Sequence, residues 1–157
     1  MPRNNRTQDR EEKRNLIIDA AQQLFLREGY EATSMTRLAN AASIAPNTIY
    51  WYFKDKDDVL IAVLDRELAA RLADYLKQSF SDIAARLLWV VHQLELVSPL
   101  VSTVHARALL APAIQVWHEQ FHRLIEAMLR VELEAAGIAA NHLEAVMNIW
   151  VFTIEGL

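Results

Sequence analysis

Residues 46–58 read PNTIYWYFKDKDD, and their reading decides the fold. Pro46 suits the first position of a helix, where its missing N–H has no partner to lose. Four aromatic residues then stand in a row, Tyr50, Trp51, Tyr52 and Phe53, with Lys54 and Lys56 close behind. In a helix over about residues 46–52, Ile49 and Phe53 lie four apart and share an inward face. Asn47, Thr48 and Trp51 then face outward, and Tyr50 and Tyr52 leave in other directions with hydroxyls to place. Asn and Thr side chains pair with base edges, while tyrosine hydroxyls and lysines suit phosphates. The competing arrangement buries all four aromatics as a small satellite core.

Upstream, TSMTRLANA (residues 33–41) predicts a two-turn helix capped by Thr33 or Ser34, with Met35, Leu38 and Ala39 inward. Two short helices about four residues apart have the length signature of a helix-turn-helix. Before them a helix is expected over about 10–28, with Leu16, Ile17, Ala20, Ala21, Leu24 and Phe25 on one face at helical spacing. Gly29 follows its last turn, a natural left-handed stop. Residues 1–9, MPRNNRTQD, read as a basic flexible arm.

The charge is divided. The chain of 157 residues carries a formal −4, yet residues 1–56 hold nine Lys/Arg against seven Asp/Glu, a net +2. The remainder holds seven against thirteen, a net −6. A basic head on an acidic body is compatible with a polyanion partner for the head alone. There is no cysteine, so disulfides, thiolate zinc sites and cysteine nucleophiles are excluded. The polar N-terminus has no secretory pattern and no apolar run is long enough to span a bilayer, so a cytoplasmic protein without a membrane partner is expected.

Beyond the head, Asp55 is expected to cap a helix with a stripe of Val59, Leu60, Val63, Leu64 and Leu68, reaching about Ser79. Further helices are expected from Ser81, Pro99, Pro112 and about Asn141, giving an all-α chain. The domains read as arm 1–9, helix-turn-helix 10–56 and helical bundle 57–157.

Over residues 13–64 the sequence resembles the DNA-binding domain of the TetR (tetracycline-repressor-like) family. LIIDAAQQLFLREGYEATSMTRLANAA and NTIYWYFKDKDDVL follow that family's A-x-x-L-F helix, G-Y, T-S cap, L-A, and T-I-Y-x-Y-F-x-x-K. The resemblance implies a ligand-responsive transcriptional regulator, a repressor, binding a near-palindromic double-stranded operator as a homodimer. It implies DNA contacts at Thr48, phosphate contacts at Tyr50 and Lys56, and a phosphate near the helix capped by Thr33 and Ser34. Thr36, Arg37, Asn47 and Trp51 fall at positions of more varied role. Three departures stand out: Ser43 occupies the place of the usual turn glycine, Ala45 that of a capping serine, and Asn47 that of a common glycine. Left-handed backbone at Ser43 would cost about 1 kcal/mol, and loss of a cap at Ala45 about as much.

In the body the resemblance implies an effector pocket and a dimer surface, and no cofactor. Candidate lining residues for a mostly apolar small molecule are Trp89, His92, His105, Arg107, Trp117, Phe121, Met128 and Trp150. The aromatics and the methionine among them also read as ordinary core. The sequence ends within an apolar helical stretch, VMNIWVFTIEGL, where family members commonly continue with one more dimerisation helix.

One motif competes. His118, Glu119 and His122 satisfy H-E-x-x-H, the pattern of a zinc hydrolase. Gln115, Arg123 and Glu126 flank the pair, so a solvated face is expected, and no third ligand stands at a known spacing. A two-histidine site for a metal is the intermediate reading. A helical interaction module without DNA binding is the remaining alternative.

Overall fold

The structure is a computed structural model and describes residues 3–138, 142 and 144–149. Every regular element among these residues is helical. In order they are α1 (Arg3–Glu28), α2 (Met35–Ala41), a 3₁₀ helix (Pro46–Trp51), α3 (Lys56–Tyr75), α4 (Ile83–Glu95), α5 (Ser98–Ala108) and α6 (Pro112–Ala135). Residues 144–149 are also helical, within the last helix expected from the sequence, most of which lies outside the described residues. The chain forms two compact units, residues 1–70 and 71–157.

In the first unit, α1 buries Ile17, Ile18, Ala20, Ala21 and Phe25. Leu16, expected inward, is instead half exposed: at helical pitch it lies on the rim of that stripe. The helix starts at Arg3, so the backbone expected as a loose arm is helical. Residues 10–14, Arg-Glu-Glu-Lys-Arg, are good helix formers, and Gln8 Nε2 donates to Glu12 Oε1 one turn on. Gly29 ends α1 at φ 88°.

Ser34 caps α2, its Oγ accepting from the Arg37 N–H at 3.1 Å. The far end closes as a Schellman turn. Ile44 N–H donates to Ala39 O at 2.9 Å and Ser43 N–H to Asn40 O at 3.1 Å, with Ser43 at φ 55°. The left-handed serine expected from the missing glycine is therefore present.

The next element, expected as a helix over about 46–52, is a 3₁₀ helix over Pro46–Trp51. Thr48 N–H donates to Ala45 O at 2.8 Å, and Tyr52 N–H to Ile49 O at 3.0 Å. Ala45 supplies no side-chain cap and Pro46 no N–H. The segment is six residues long, short enough for the tighter winding to be tolerated. At three residues per turn, Asn47 aligns with Tyr50 and Thr48 with Trp51.

Asp55 Oδ1 accepts from the Asp58 N–H at 2.9 Å, and Asp58 Oδ2 from the Lys54 N–H at 3.0 Å. This reciprocal cap opens α3, whose first turn carries Asp57 and Asp58 where the helix dipole favours anions. Val59, Leu60, Val63 and Leu64 complete the core of the unit with Leu38, Ala39, Ile49 and Phe53. Arg66 ties α3 to α1 through Asp19 and Gln22.

In the second unit Asp82 caps α4, accepting from the Ala85 N–H at 2.8 Å. That bond, then the Ser81 hydroxyl, hold the Asp82 carboxyl below its ordinary pKa. Leu129 and Leu133 of α6 pack with Ile83, Leu87, Val90, Val91 and Leu94 of α4, and with Val146 and Met147. Leu100 and Val104 of α5 and Ile114 of α6 are buried. Gly137 closes α6 at φ 76° with the same Schellman bonds, Ile138 N–H to Leu133 O and Gly137 N–H to Glu134 O, both 3.0 Å. No single helix among the described residues is long and apolar enough to cross a membrane.

Candidate nucleic-acid interface

The 3₁₀ helix presents a two-sided element. Ile49 is 0% exposed and Phe53 is buried behind it, while Tyr50 is 55% and Trp51 78% exposed. Asn47 is exposed and Thr48 half-buried. The four aromatics thus divide: Phe53 goes to the core, Tyr50 and Trp51 to solvent, and Tyr52 between. A satellite core of all four does not form. On α2, Ser34, Thr36 and Arg37 are exposed, and Arg37 forms an ion pair with Glu28.

Two expected contacts need correction. Thr33 is 1% exposed, and its Oγ1 donates to Gly29 O at 2.9 Å. Its hydroxyl braces the turn after α1 and is not offered to a phosphate. Lys56 is half-buried: its Nζ donates to Tyr30 O at 2.8 Å and stands 3.9 Å from the centroid of the Tyr30 ring. Tyr30 in turn donates its hydroxyl to Asp57 Oδ1. The family-like lysine therefore clasps the loop after α1 onto the start of α3 instead of projecting outward. The preceding Gly-Tyr turn brings a carbonyl and a ring within reach of the amine.

Sequence reasoning missed the contribution of α1. A groove of about 370 Å³ is lined by Asp9, Arg10, Lys13, Trp51 and Tyr52. The Arg14 guanidinium lies 5.2 Å from the centroid of the Phe53 ring. Three cations of α1 thus stand beside the C-terminal end of the 3₁₀ helix. The density of Arg and Lys over 10–14 was the available signal, hidden by reading the segment as an arm and a plain helix start.

The candidate effector residues fall into separate groups. Trp89 packs with Tyr75 and Phe80, ring centroids 5.9 and 6.0 Å away, and Arg86 lies over the same two rings. Arg86 is ion-paired with Glu132, which also accepts from the Tyr75 hydroxyl at 2.7 Å. His92 is exposed, 3.6 Å from Glu95. Trp117 and Phe121 stack at 5.4 Å and 10°. Arg107 and Met128 are half-buried. Trp150 lies outside the described residues.

His118 and His122 were expected on a solvated face, and that is corrected. Both are half-buried, Nε2 to Nε2 is 2.9 Å, and His105 of α5 meets His118 edge-on at 5.1 Å. The α5–α6 turn folds α5 back on α6, which no spacing rule in the sequence conveys. Glu119 points elsewhere: its Oε1 accepts from Gln115 Nε2 at 3.0 Å on the exposed side.

A capped short helix, a tight turn and a second short helix with its polar edge outward define a helix-turn-helix head. Residues 17–63 match the model of the bacterial regulatory proteins of the tetR family. Over 58 residues it is 43% identical to the HTH-type transcriptional regulator HbdR of Aromatoleum sp. (strain CIB). That match covers 37% of this chain and spans only 25% of HbdR. It is 28% identical to the HTH-type transcriptional regulator AcrR of Shigella flexneri, across 92% of this chain and 81% of that protein. Among solved structures, a transcriptional regulator from Rhodococcus sp. Rha1 superposes with TM-score 0.77 at 20% identity, covering 92% of this chain and 80% of that one. A regulator from Saccharomonospora viridis, solved with choline, gives 0.76 at 18%, covering 93% and 83%. At these identities the structures share the fold alone. These relatives are described as transcriptional regulators, which are not enzymes, and none of them supports the hydrolase alternative.

Proposed function

We propose that the protein is a ligand-responsive transcriptional regulator, a repressor, that binds a near-palindromic operator as a homodimer. The observation carrying this is the orientation of the 3₁₀ helix: Asn47, Tyr50 and Trp51 stand in solvent because Ile49 and Phe53 anchor its back. Asn47 and Thr48, with Trp51, are the base-reading candidates. Tyr50, Ser34, Thr36 and Arg37 are candidates for phosphates, joined by Arg10 and Lys13 of α1. Lys56 acts through the loop it holds. Two copies would set their 3₁₀ helices in successive major grooves, one helical turn apart. The head is taken as the unit of residues 1–70, longer than the expected 10–56 because α3 completes its core, and the body beyond it as the part that senses and pairs. An effector in the body would release the operator only by binding the two states with different affinity. A cytoplasmic location follows from that role.

A mobility shift with genomic fragments tests the reading. Specific retardation of a fragment carrying an inverted repeat is expected. Tyr50→Phe should weaken binding to all sequences alike, while Asn47→Ala should relax preference at one position of each half-site. Retardation of no fragment over competitor DNA at low salt would sink it.

A further inference from the structure

We infer that His105, His118 and His122 form a binding site for one divalent first-row transition-metal ion, zinc in particular. The three imidazoles come from α5 and α6 and each offers a nitrogen within 4.8 Å of the other two. His118 and His122 are one helical turn apart, ring centroids 4.3 Å apart and planes at 68°. That is the spacing by which one helix face gives two ligands to one ion. His105 supplies the third from across the α5–α6 contact.

The distances suit an ion. Tetrahedral zinc with Zn–N near 2.0–2.1 Å holds its nitrogens about 3.3 Å apart. The 2.9 Å pair must open by a few tenths of an ångström, and no separation need close by more than about 1.5 Å, within the reach of imidazole rotation. Between His118 and His122 one ring now serves as donor and the other as acceptor; an ion would take the place of the shared proton. The surroundings restrict the rings. Phe121 lies edge-on to His122 at 5.9 Å, and Trp117 stacks behind Phe121. Less rotamer freedom is then lost on coordination.

The donor set selects the ion class. Three imidazoles without a carboxylate favour zinc, copper, nickel or iron over calcium or magnesium. Three protein ligands leave a fourth position open to water or a small ligand. Glu119 is engaged with Gln115 on the exposed side, so the site binds without a hydrolytic base. Coordination would pin α5 to α6 and stabilise the folded chain by mass action. The inference stands whether or not the head binds DNA.

The full chain, purified without a histidine tag and stripped with a chelator, is titrated with Zn²⁺ against a chromophoric competitor. Co²⁺ replaces it for visible absorption. One equivalent per chain is expected, with the intense d–d bands of tetrahedral cobalt and a metal-dependent rise in melting temperature. His105→Gln, His118→Gln and His122→Gln should each weaken binding at least about tenfold, while His92→Gln changes nothing. No saturable binding, or equal affinity in all four variants, overturns the site. Should a variant fail to fold, imidazole ¹⁵N shifts of the unaltered protein decide: zinc must move three of the five histidines. Movement of His92, or of none, refutes it.

Discussion

Ser43 carries a cost that can be measured. It holds φ 55° at the position where α6 places Gly137 at φ 76° in the same hydrogen-bonded turn. A side chain there clashes with its own backbone, a penalty of about 1–2 kcal/mol that glycine escapes. Glycine also loosens the unfolded chain, which offsets part of the gain. Ser43→Gly should therefore raise stability by roughly 0.5–1 kcal/mol. Gly137→Ser should lower it by a similar amount. Urea midpoints of both variants measure the pair; a loss in Ser43→Gly would show that the serine side chain holds an unsuspected role. At this scale the sequence was informative where the chemistry is local. The left-handed serine, the uncapped Ala45 and the glycine stop at Gly29 were all legible, because each depends on one residue and its immediate neighbours. Thr33 and Lys56 were not, because the carbonyls of Gly29 and Tyr30 that claim them are set by the path of the turn.

Among elements, α4 offers a pH test. The Asp82 carboxyl is held below its ordinary pKa by the Ala85 N–H first and the Ser81 hydroxyl second. A depressed folded-state pKa means the unfolded chain binds the proton more readily. The cap's stabilisation is then complete above the ordinary carboxylate range of about 4 and is lost as pH falls through the lower folded value. Asp82→Asn keeps an acceptor oxygen that does not titrate. Thermal melts from neutral pH to about pH 2 should show the unaltered chain losing stability relative to the Asn variant only below about pH 4. Parallel curves would remove Asp82 from the account. The 3₁₀ helix teaches the converse. Its existence, start and buried residues were legible in Pro46, Ile49 and Phe53, but its winding was not. Six residues with no side-chain cap at the start are short enough for either winding, and their sequence does not choose between them.

For the molecule as a whole, the charge asymmetry should govern the proposed encounter with DNA. The total is −4, yet the first 56 residues carry +2, and Arg10, Lys13 and Arg14 gather beside the 3₁₀ helix. Affinity should fall steeply with salt, and each neutralised phosphate contact should flatten the log–log slope by about one. Arg10→Gln and Lys13→Gln, measured singly from about 50 to 200 mM salt, should each reduce the slope while leaving sequence preference intact. An unchanged slope would exclude α1 from the interface. The all-α class was readable from helical periodicity throughout. The histidine group was half readable: the i, i+4 pair stands in the sequence, but His105 joins only through the α5–α6 packing.

The clasp of Lys56 has a consequence for covalent chemistry. An amine already donating to a carbonyl and resting on an aromatic face must break both arrangements before its lone pair can attack an electrophile. Lys54, two positions earlier, is exposed. In the folded protein an acylating reagent should modify Lys54 well before Lys56, and mass spectrometry of the peptides would give the order. Unfolding in urea should make the two react at the same pace.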